Sequence, residues 1–399
     1  MISQRYRVIL LCAALTALNQ FEWLRLAPIT SQTVGQYGVK PSDVGNLSVL
    51  FSGLFILLGL PAGTLIDRIS VRATLRTSAI LMVVGTAARC IAPTYRWLVA
   101  GTVLLAIAQP VVMGVLGKLV LTWFDPAEHT KATSIGSMAI FIGVGLAFTL
   151  IPLMAGYSIY FTLFIDVIAS CMLALVTFLA VPYDESSSMG TVSSAANIPK
   201  RTGLKILWRS PLFMTLILLI FLSNGYFNAL FTWLSPILVA RHFDTQRAGV
   251  VALSTLIGGV LAISLVPMVT RWAHINSRRF VCMVIGCAVP LTMAMFLVNS
   301  FLVLCIVMFL LGGALLSSLP ILIRLVIDSA GSNHAGIAMS VFWLVGAVGA
   351  TALTSTIGAL ADAGAWRYMA MVFGVTLVIE FWIAIAFLPK SSKAEAGVT

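Results

Sequence analysis

Residues 44–72 read VGNLSVLFSGLFILLGLPAGTLIDRISVR. The run over 44–66 is almost wholly apolar, Asp67-Arg68 closes it, and Arg72 stands at the head of the next. At 1.5 Å per helical residue, ~20 apolar residues cross the ~30 Å hydrocarbon layer of a bilayer. The stretch therefore reads as one membrane-spanning helix, a short charged turn and the start of a second. Working outward, twelve such runs occur: 8–32, 44–66, 72–93, 97–123, 131–155, 158–182, 210–239, 246–270, 278–298, 300–327, 335–361 and 366–388. They do not alternate apolar and polar residues as barrel strands do, and an open sheet leaves backbone groups unsatisfied in lipid. The expected fold class is an all-α membrane protein with twelve transmembrane helices.

Composition points the same way. Hydrophobic residues make up 60% of the 399 and charged residues 9%, where a soluble domain carries roughly 45–50% and about 25%. The first run follows Arg5 and Arg7 as a signal peptide would, yet it is too long and carries Glu22, Trp23 and Arg25 instead of a small-residue cleavage site. It reads as a retained helix. The net charge of +11 would suggest nucleic acid for a soluble protein, but here it is sided. With both termini cytoplasmic, 15 Lys and Arg fall on the inner side and six on the outer: Lys40, Arg89, Arg96, Arg241, Arg247 and Arg367. Arg25, Lys118 and Arg324 lie inside spans. This bias follows the positive-inside rule. It implies a multi-pass protein of the cell (plasma or inner) membrane, with the lipid bilayer as partner and no nucleic acid. All six Cys lie in or at the ends of apolar runs without CxxC spacing, so they read as small core residues.

The long polar stretch 183–209 is Ser-rich and flanked by charge, as a linker between two halves should be. The expected organisation is an N-terminal six-helix bundle (1–182), a cytoplasmic linker (183–209), a C-terminal six-helix bundle (210–388) and a cytoplasmic tail (389–399). Pro61 and Pro267, Arg72 and Arg278, Lys118 and Arg324, Ser134 and Ser340, and Gly143 and Gly349 are each 206 apart. A constant offset bracketing the linker points to an internal duplication. Parallel repeats with a site between them are one transporter plan.

The turn itself, Gly63-Thr-Leu-Ile-Asp67-Arg68-Ile-Ser70-Val-Arg72, resembles the G-x-x-x-D-R/K-x-G-x-R signature of the major facilitator superfamily. Gly63 permits close helix approach, and Asp67 at a helix end can pair with Arg68, Arg72 or a neighbouring helix. The resemblance implies a cytoplasmic gate formed by Gly63, Asp67, Arg68 and Arg72. Ser70 replaces the usual glycine, and Ala273 stands opposite Asp67 in the second half, so the gate is expected mainly in the first. Trp123-Phe124-Asp125-Pro126-Ala127-Glu128-His129-Thr130-Lys131, followed by Gly136, Gly143 and Gly145, resembles another loop of that superfamily and the small-residue helix after it.

A narrower resemblance covers roughly residues 6–150. Asn19-Gln20-Phe21-Glu22-Trp23, Ala106-Ile107-Ala108-Gln109, Gly114 and Trp123-Phe124 look like the feline leukaemia virus subgroup C receptor-related transporters, which handle choline, ethanolamine and, by older assignment, haem. The resemblance implies a cation site with Trp23 as its aromatic and Gln109 as its amide. A Trp face holds a quaternary ammonium by cation–π attraction, worth about 2 kcal/mol when desolvated. Pro110 is expected to kink the helix beside Gln109. In the second half Asn224, Tyr226 and Phe227 offer amide and aromatic groups, and Trp343 aligns where that family carries a glutamine.

Charges inside spans are costly and usually line a cavity or pair. Glu22, Arg25, Asp166 and Lys118 are therefore candidate coupling or structural charges, with Arg25 expected to pair with either Glu22 or Asp166. Arg324 is expected to snorkel towards water. Glu22, beside Trp23, attracts a cation or carries a proton in the functional reading. His129, His242, His274 and His334 fall near span ends or in loops, which offers no axial haem ligand. With no Walker loop, metal-ligand cluster or nucleophile elbow, no cofactor and no enzymatic activity are expected. The reading is a monomeric secondary or facilitative transporter of a small organic solute, best matched by a choline-like cation, with protons or sodium ions as candidate coupling ions. The alternatives are a proton-coupled carrier of another organic solute, including haem or drug-like compounds, and a non-transporting membrane receptor.

Overall fold

The computed structural model describes residues 4–125, 128–154, 156–181, 209–272, 276–330 and 335–389; of 67, 129–131, 267–272 and 335–337 it describes the backbone alone. The expected linker and tail lie outside these residues, apart from Arg209 and Lys390's neighbour at 389.

Among the described residues every regular element is helical. The first seven helices are α1 (Gln4–Leu24), α2 (Thr30–Tyr37), α3 (Pro41–Arg68), α4 (Val71–Cys90), α5 (Tyr95–Trp123), α6 (His129–Leu153) and α7 (Ile159–Ala180). The remaining seven are α8 (Pro211–Ala240), α9 (Thr245–Trp272), α10 (Ser277–Leu297), α11 (Phe301–Ser317), α12 (Leu319–Ala330), α13 (Ala335–Asp362) and α14 (Trp366–Phe387). Two expected runs are each divided. The run 8–32 breaks after Leu24, before Pro28, and 300–327 breaks at Ser318, before Pro320. Proline lacks the N–H that would continue a helix and restricts the residue before it. Arg25 accordingly sits in the turn that follows α1, where Ala27 N–H bonds Leu24 O at 3.1 Å.

Ten segments among the described residues are long and apolar enough to cross a membrane, with α11 and α12 forming one of them. Neither α1 nor α4 is in that set. α1 carries Arg5, Arg7, Asn19, Gln20 and Glu22, and α4 carries Arg72, Arg76 and Arg89. Their polar side chains lower the mean hydropathy, and several turn out to be buried in the protein.

Helix starts are set locally. Ser70 caps α4 by accepting from Ala73 N at 3.1 Å, and Asn276 caps α10 by accepting from Arg279 N at 2.9 Å. These caps are 206 residues apart, and a side-chain oxygen at this position satisfies an otherwise orphaned N–H. The Ser70 that replaces a glycine in the gate motif thus has its own structural task.

The chain forms two compact units, Met1–Thr191 with Ser235–Gly249, and Val192–Leu234 with Val250–Thr399. In the first, α1 packs on α5 and α6, α3 on α5, and α4 on α5 and α7. In the second, α10 packs on α11 and α14, and α13 on α12 and α14. A core of Phe213, Leu216, Ile220, Val281, Leu322 and Phe342 fills part of the second unit. Glycines make the closest crossings in both. A Cβ on Gly143 would lie 2.1 Å from Ala17 O, and one on Gly349 would lie 1.9 Å from Phe221 O. Gly63 differs from expectation: a Cβ there would meet nothing within 4 Å, so no close packing requires a glycine at that point.

Candidate functional site

The first unit holds a buried cluster of four charges drawn from separate elements. Glu22 near the end of α1 pairs with Arg89 in the last turn of α4, the Arg89 Nη1–Glu22 Oε2 distance being 2.9 Å. The same nitrogen donates to the Glu22 carbonyl at 3.1 Å, and Arg89 Nε donates to Thr102 Oγ1 of α5 at 3.0 Å. Arg25, in the turn after α1, pairs with Asp166 of α7 at 2.5 Å. All four side chains are almost fully buried. Their charges sum to zero, which is the arrangement an apolar medium tolerates.

One open alternative is resolved here and one residue gains an unexpected role. Of the two partners open to Arg25, the structure selects Asp166, and Glu22 turns to Arg89. Arg89, counted on the outer side by its position along the chain, is 1% exposed and part of this cluster. Its place at the end of an apolar run carried no sign of burial.

Next to this cluster the α1 and α5 motifs meet. Asn19 Nδ2 donates to Leu105 O at 3.1 Å, and Ser48 Oγ donates to Trp23 O at 3.2 Å. Trp23 is buried, and Gln109 is half-buried. Pro110 cannot donate to the Ala106 carbonyl, so the backbone beside Gln109 is released from the helical ladder. Several buried atoms in these helices have no hydrogen-bond partner among the described residues: Gln109 Oε1, Asn19 Oδ1, Gln20 Nε2 and Glu22 Oε1, joined by Arg25 Nη1 and Nη2. Buried polar atoms are normally satisfied, so such a group marks a place for water or a ligand.

The gate motif is braced from α5. Lys118 Nζ donates to Ile66 O at 2.8 Å and to Ile69 O at 2.7 Å, holding carbonyls at the end of α3 that no further turn can use. Arg68 is exposed and Arg72 is half-buried. The Asp67 side chain lies outside the described residues. Arg76 Nη2 donates to Phe178 O at 2.6 Å, tying α4 to the end of α7. In the other motif, Asp125 accepts from Arg5 of α1 at 3.2 Å, Glu128 Oε2 is ion-paired with Arg5 at 2.5 Å, and Tyr6 Oη donates to Glu128 Oε1 at 3.0 Å. Arg324 is more than half exposed and lies 3.6 Å from Asp328 one turn on.

In the second unit Tyr226 is fully buried, its hydroxyl 2.6 Å from Thr292 Oγ1 and its ring against Phe373. Phe227 is half-buried and stacks on Phe231 at 4.6 Å. Asn228 Nδ2 donates to Asn224 O at 2.8 Å and to Asn224 Oδ1 at 3.1 Å. Trp343 is 37% exposed, with its ring 5.5 Å from Phe342. Glu380 of α14, which the sequence reading passed over, is buried and accepts a hydrogen bond from Ser223 Oγ of α8. It is an acidic residue within an apolar run, and that alone could have found it.

Comparison with known proteins matches the architecture. Residues 9–354 match the model of the Major Facilitator Superfamily, and the chain belongs to that family, whose members are transporters and not enzymes. It is 28% identical over 271 residues to solute carrier family 49 member A3 of Danio rerio, covering 64% of this chain and 57% of that one. It is 21% identical over 282 residues to the choline/ethanolamine transporter FLVCR1 of Felis catus, covering 65% and 50%. The chain thus spans little more than half the length of these relatives. Among solved structures, a bacterial homolog of the human lysosomal transporter Spinster, inward-facing and unoccupied, aligns with a TM-score of 0.77 at 15% identity over 97% of this chain and 98% of that one. The nucleoside transporter NupG aligns with a TM-score of 0.78 at 12% identity over 96% and 100%. At these identities the likeness is one of fold. The protein is a multi-pass membrane protein of this fold.

Proposed function

We propose that the chain is a secondary or facilitative transporter that moves a small organic solute by alternating access, with a choline-like cation as the leading substrate. In this reading α1 and α4 cross the bilayer with the ten apolar segments, giving twelve spans in two six-helix halves joined by the 183–209 linker. Both termini face the cytoplasm of a cell membrane, and Asp67, Arg68 and Arg72 latch the cytoplasmic side. The supporting observation is a pair of buried acceptors without hydrogen-bond partners among the described residues, Asn19 Oδ1 on α1, four residues before Trp23, and Gln109 Oε1 on α5. An acceptor without a donor suits the hydroxyl of a choline-type solute, and the indole face suits its ammonium. The ion pairs Glu22–Arg89 and Arg25–Asp166 leave no net positive charge to repel it. In the second unit Phe227, Asn224 and Trp343 are accessible enough to contact substrate, whereas the Tyr226 hydroxyl is already engaged.

Uptake of radiolabelled choline into proteoliposomes tests this. The expected result is saturable uptake that falls at least tenfold in Trp23→Ala and in Gln109→Ala. Uptake unchanged by both substitutions would remove the site, and no uptake would remove the substrate. Arg25 Nη1 and Nη2, buried without partners, favour a second reading in which the solute carries a carboxylate. Competition by a betaine-type zwitterion stronger than by choline would select it.

A further inference from the structure

Three carboxyl groups among the described residues are buried: Glu22, Asp166 and Glu380. The first two face guanidinium groups. Glu380 has no ion pair among the described residues. Its Oε1 accepts from the Ser223 hydroxyl, and its Oε2 is buried with no partner among the described residues. An ionised carboxylate held in apolar surroundings by a single hydroxyl is strongly disfavoured, while the neutral acid fits the same space. Glu380 stands 14 residues after Trp366 in a 22-residue helix, roughly 21 Å along it, well inside the span.

The groups around it do not supply a cation. From α8 come Ser223 and Tyr226, the latter near enough to interact with Glu380 electrostatically but hydrogen-bonded to Thr292. From α10, Arg278 donates to Ile385 O towards the end of α14 and also to Cys282 of its own helix, and Cys287 is exposed. From α13, Asp362 is the last residue of its helix.

We propose that Glu380 is a proton-binding site whose carboxyl is loaded and released during the transport cycle, so that solute movement responds to a pH gradient. No other co-reactant is involved: a proton binds Oε2 in one state and leaves it in another, and Ser223 orients the group. The loading step rests on the transport reading above, but the binding of the proton does not. The experiment therefore has two arms. Infrared difference spectra of the full-length protein in lipid, recorded between acid and alkaline pH, should show the carbonyl stretch of a protonated carboxylic acid that titrates and is missing in Glu380→Gln. In proteoliposomes, an imposed pH gradient should change the rate of choline uptake several-fold in the wild type and not in Glu380→Gln, which should keep choline exchange at equal pH.

A Glu380→Gln spectrum that loses none of the titrating carbonyl bands of the wild type overturns the site. A wild type indifferent to the gradient, or a Glu380→Gln that responds as wild type does, overturns the loading step. If no choline moves in any mode, the transport reading of the substrate fails and the infrared arm alone decides the proton site. Should Glu380→Gln not fold, Ser223→Ala takes its place, with the band's titration expected to move by at least one pH unit. An unmoved titration overturns the proposal.

Discussion

In the first unit Glu22 and Asp166 are each met by a buried arginine, at 2.9 and 2.5 Å, whereas in the second Glu380 meets the hydroxyl of Ser223. The difference is one of commitment. A carboxylate facing a guanidinium belongs to a pair, and removing either partner leaves the other buried and uncompensated. The first unit therefore uses acids to bind α1 to α4 and the α1 turn to α7. In the second unit an acid with a hydroxyl partner can gain or lose a proton without stranding a counter-ion.

The largest effect should come from breaking one pair. Arg89→Met leaves Glu22 buried and uncompensated, and about 3–5 kcal/mol of stability should be lost, measured by thermal unfolding in detergent or lipid. Glu22→Leu combined with Arg89→Met should recover much of that loss, and a double variant as unstable as the single would refute the pairing. Matched amide substitutions sharpen the contrast. Glu22→Gln strands Arg89 and should fall in the same range, while Glu380→Gln replaces a neutral acid with a neutral amide and should cost under about 1 kcal/mol. Equal losses would end the distinction between the units.

The two glycine crossings offer a smaller and symmetric test. Gly143→Ala and Gly349→Ala each push a methyl against a backbone carbonyl, and each should cost about 1–3 kcal/mol. A loss in one unit only would mean that the 206-residue offset does not carry over to packing. Lys118→Met removes two bonds to the end of α3; about 1–2 kcal/mol is expected, together with faster proteolysis at the α3–α4 turn. Trp343→Ala, at a position 37% exposed, should have the smallest effect, on the order of 1 kcal/mol or less of stability, and change uptake only if substrate touches it.

Much of the fold was legible. Apolar runs of span length are a property of consecutive residues, whereas the breaks before Pro28 and Pro320 and the caps at Ser70 and Asn276 emerged only in the structure. The gate and loop motifs led to the family that the comparison shows. The candidate site was legible only in part. Asn19 and Gln109 lie in stretches that the sequence singled out, and the structure brings those stretches together through Leu105. Gly63 was assigned a packing task by motif alone, and its surroundings are open. Arg89 counted simply as an outer-side charge because hydropathy marks where a run ends but not which face of its last turn is covered.

By itself, then, the sequence determined how many apolar runs there are, where they stop, and which charges fall inside them. The tertiary structure decided which charges meet. Arg89 reaches Glu22 across 67 residues, Arg25 reaches Asp166 across 141, and Ser223 reaches Glu380 across 157. Such pairings depend on how helices are rotated and packed against one another. That is set by close contacts between many side chains, and no local pattern along the chain encodes it.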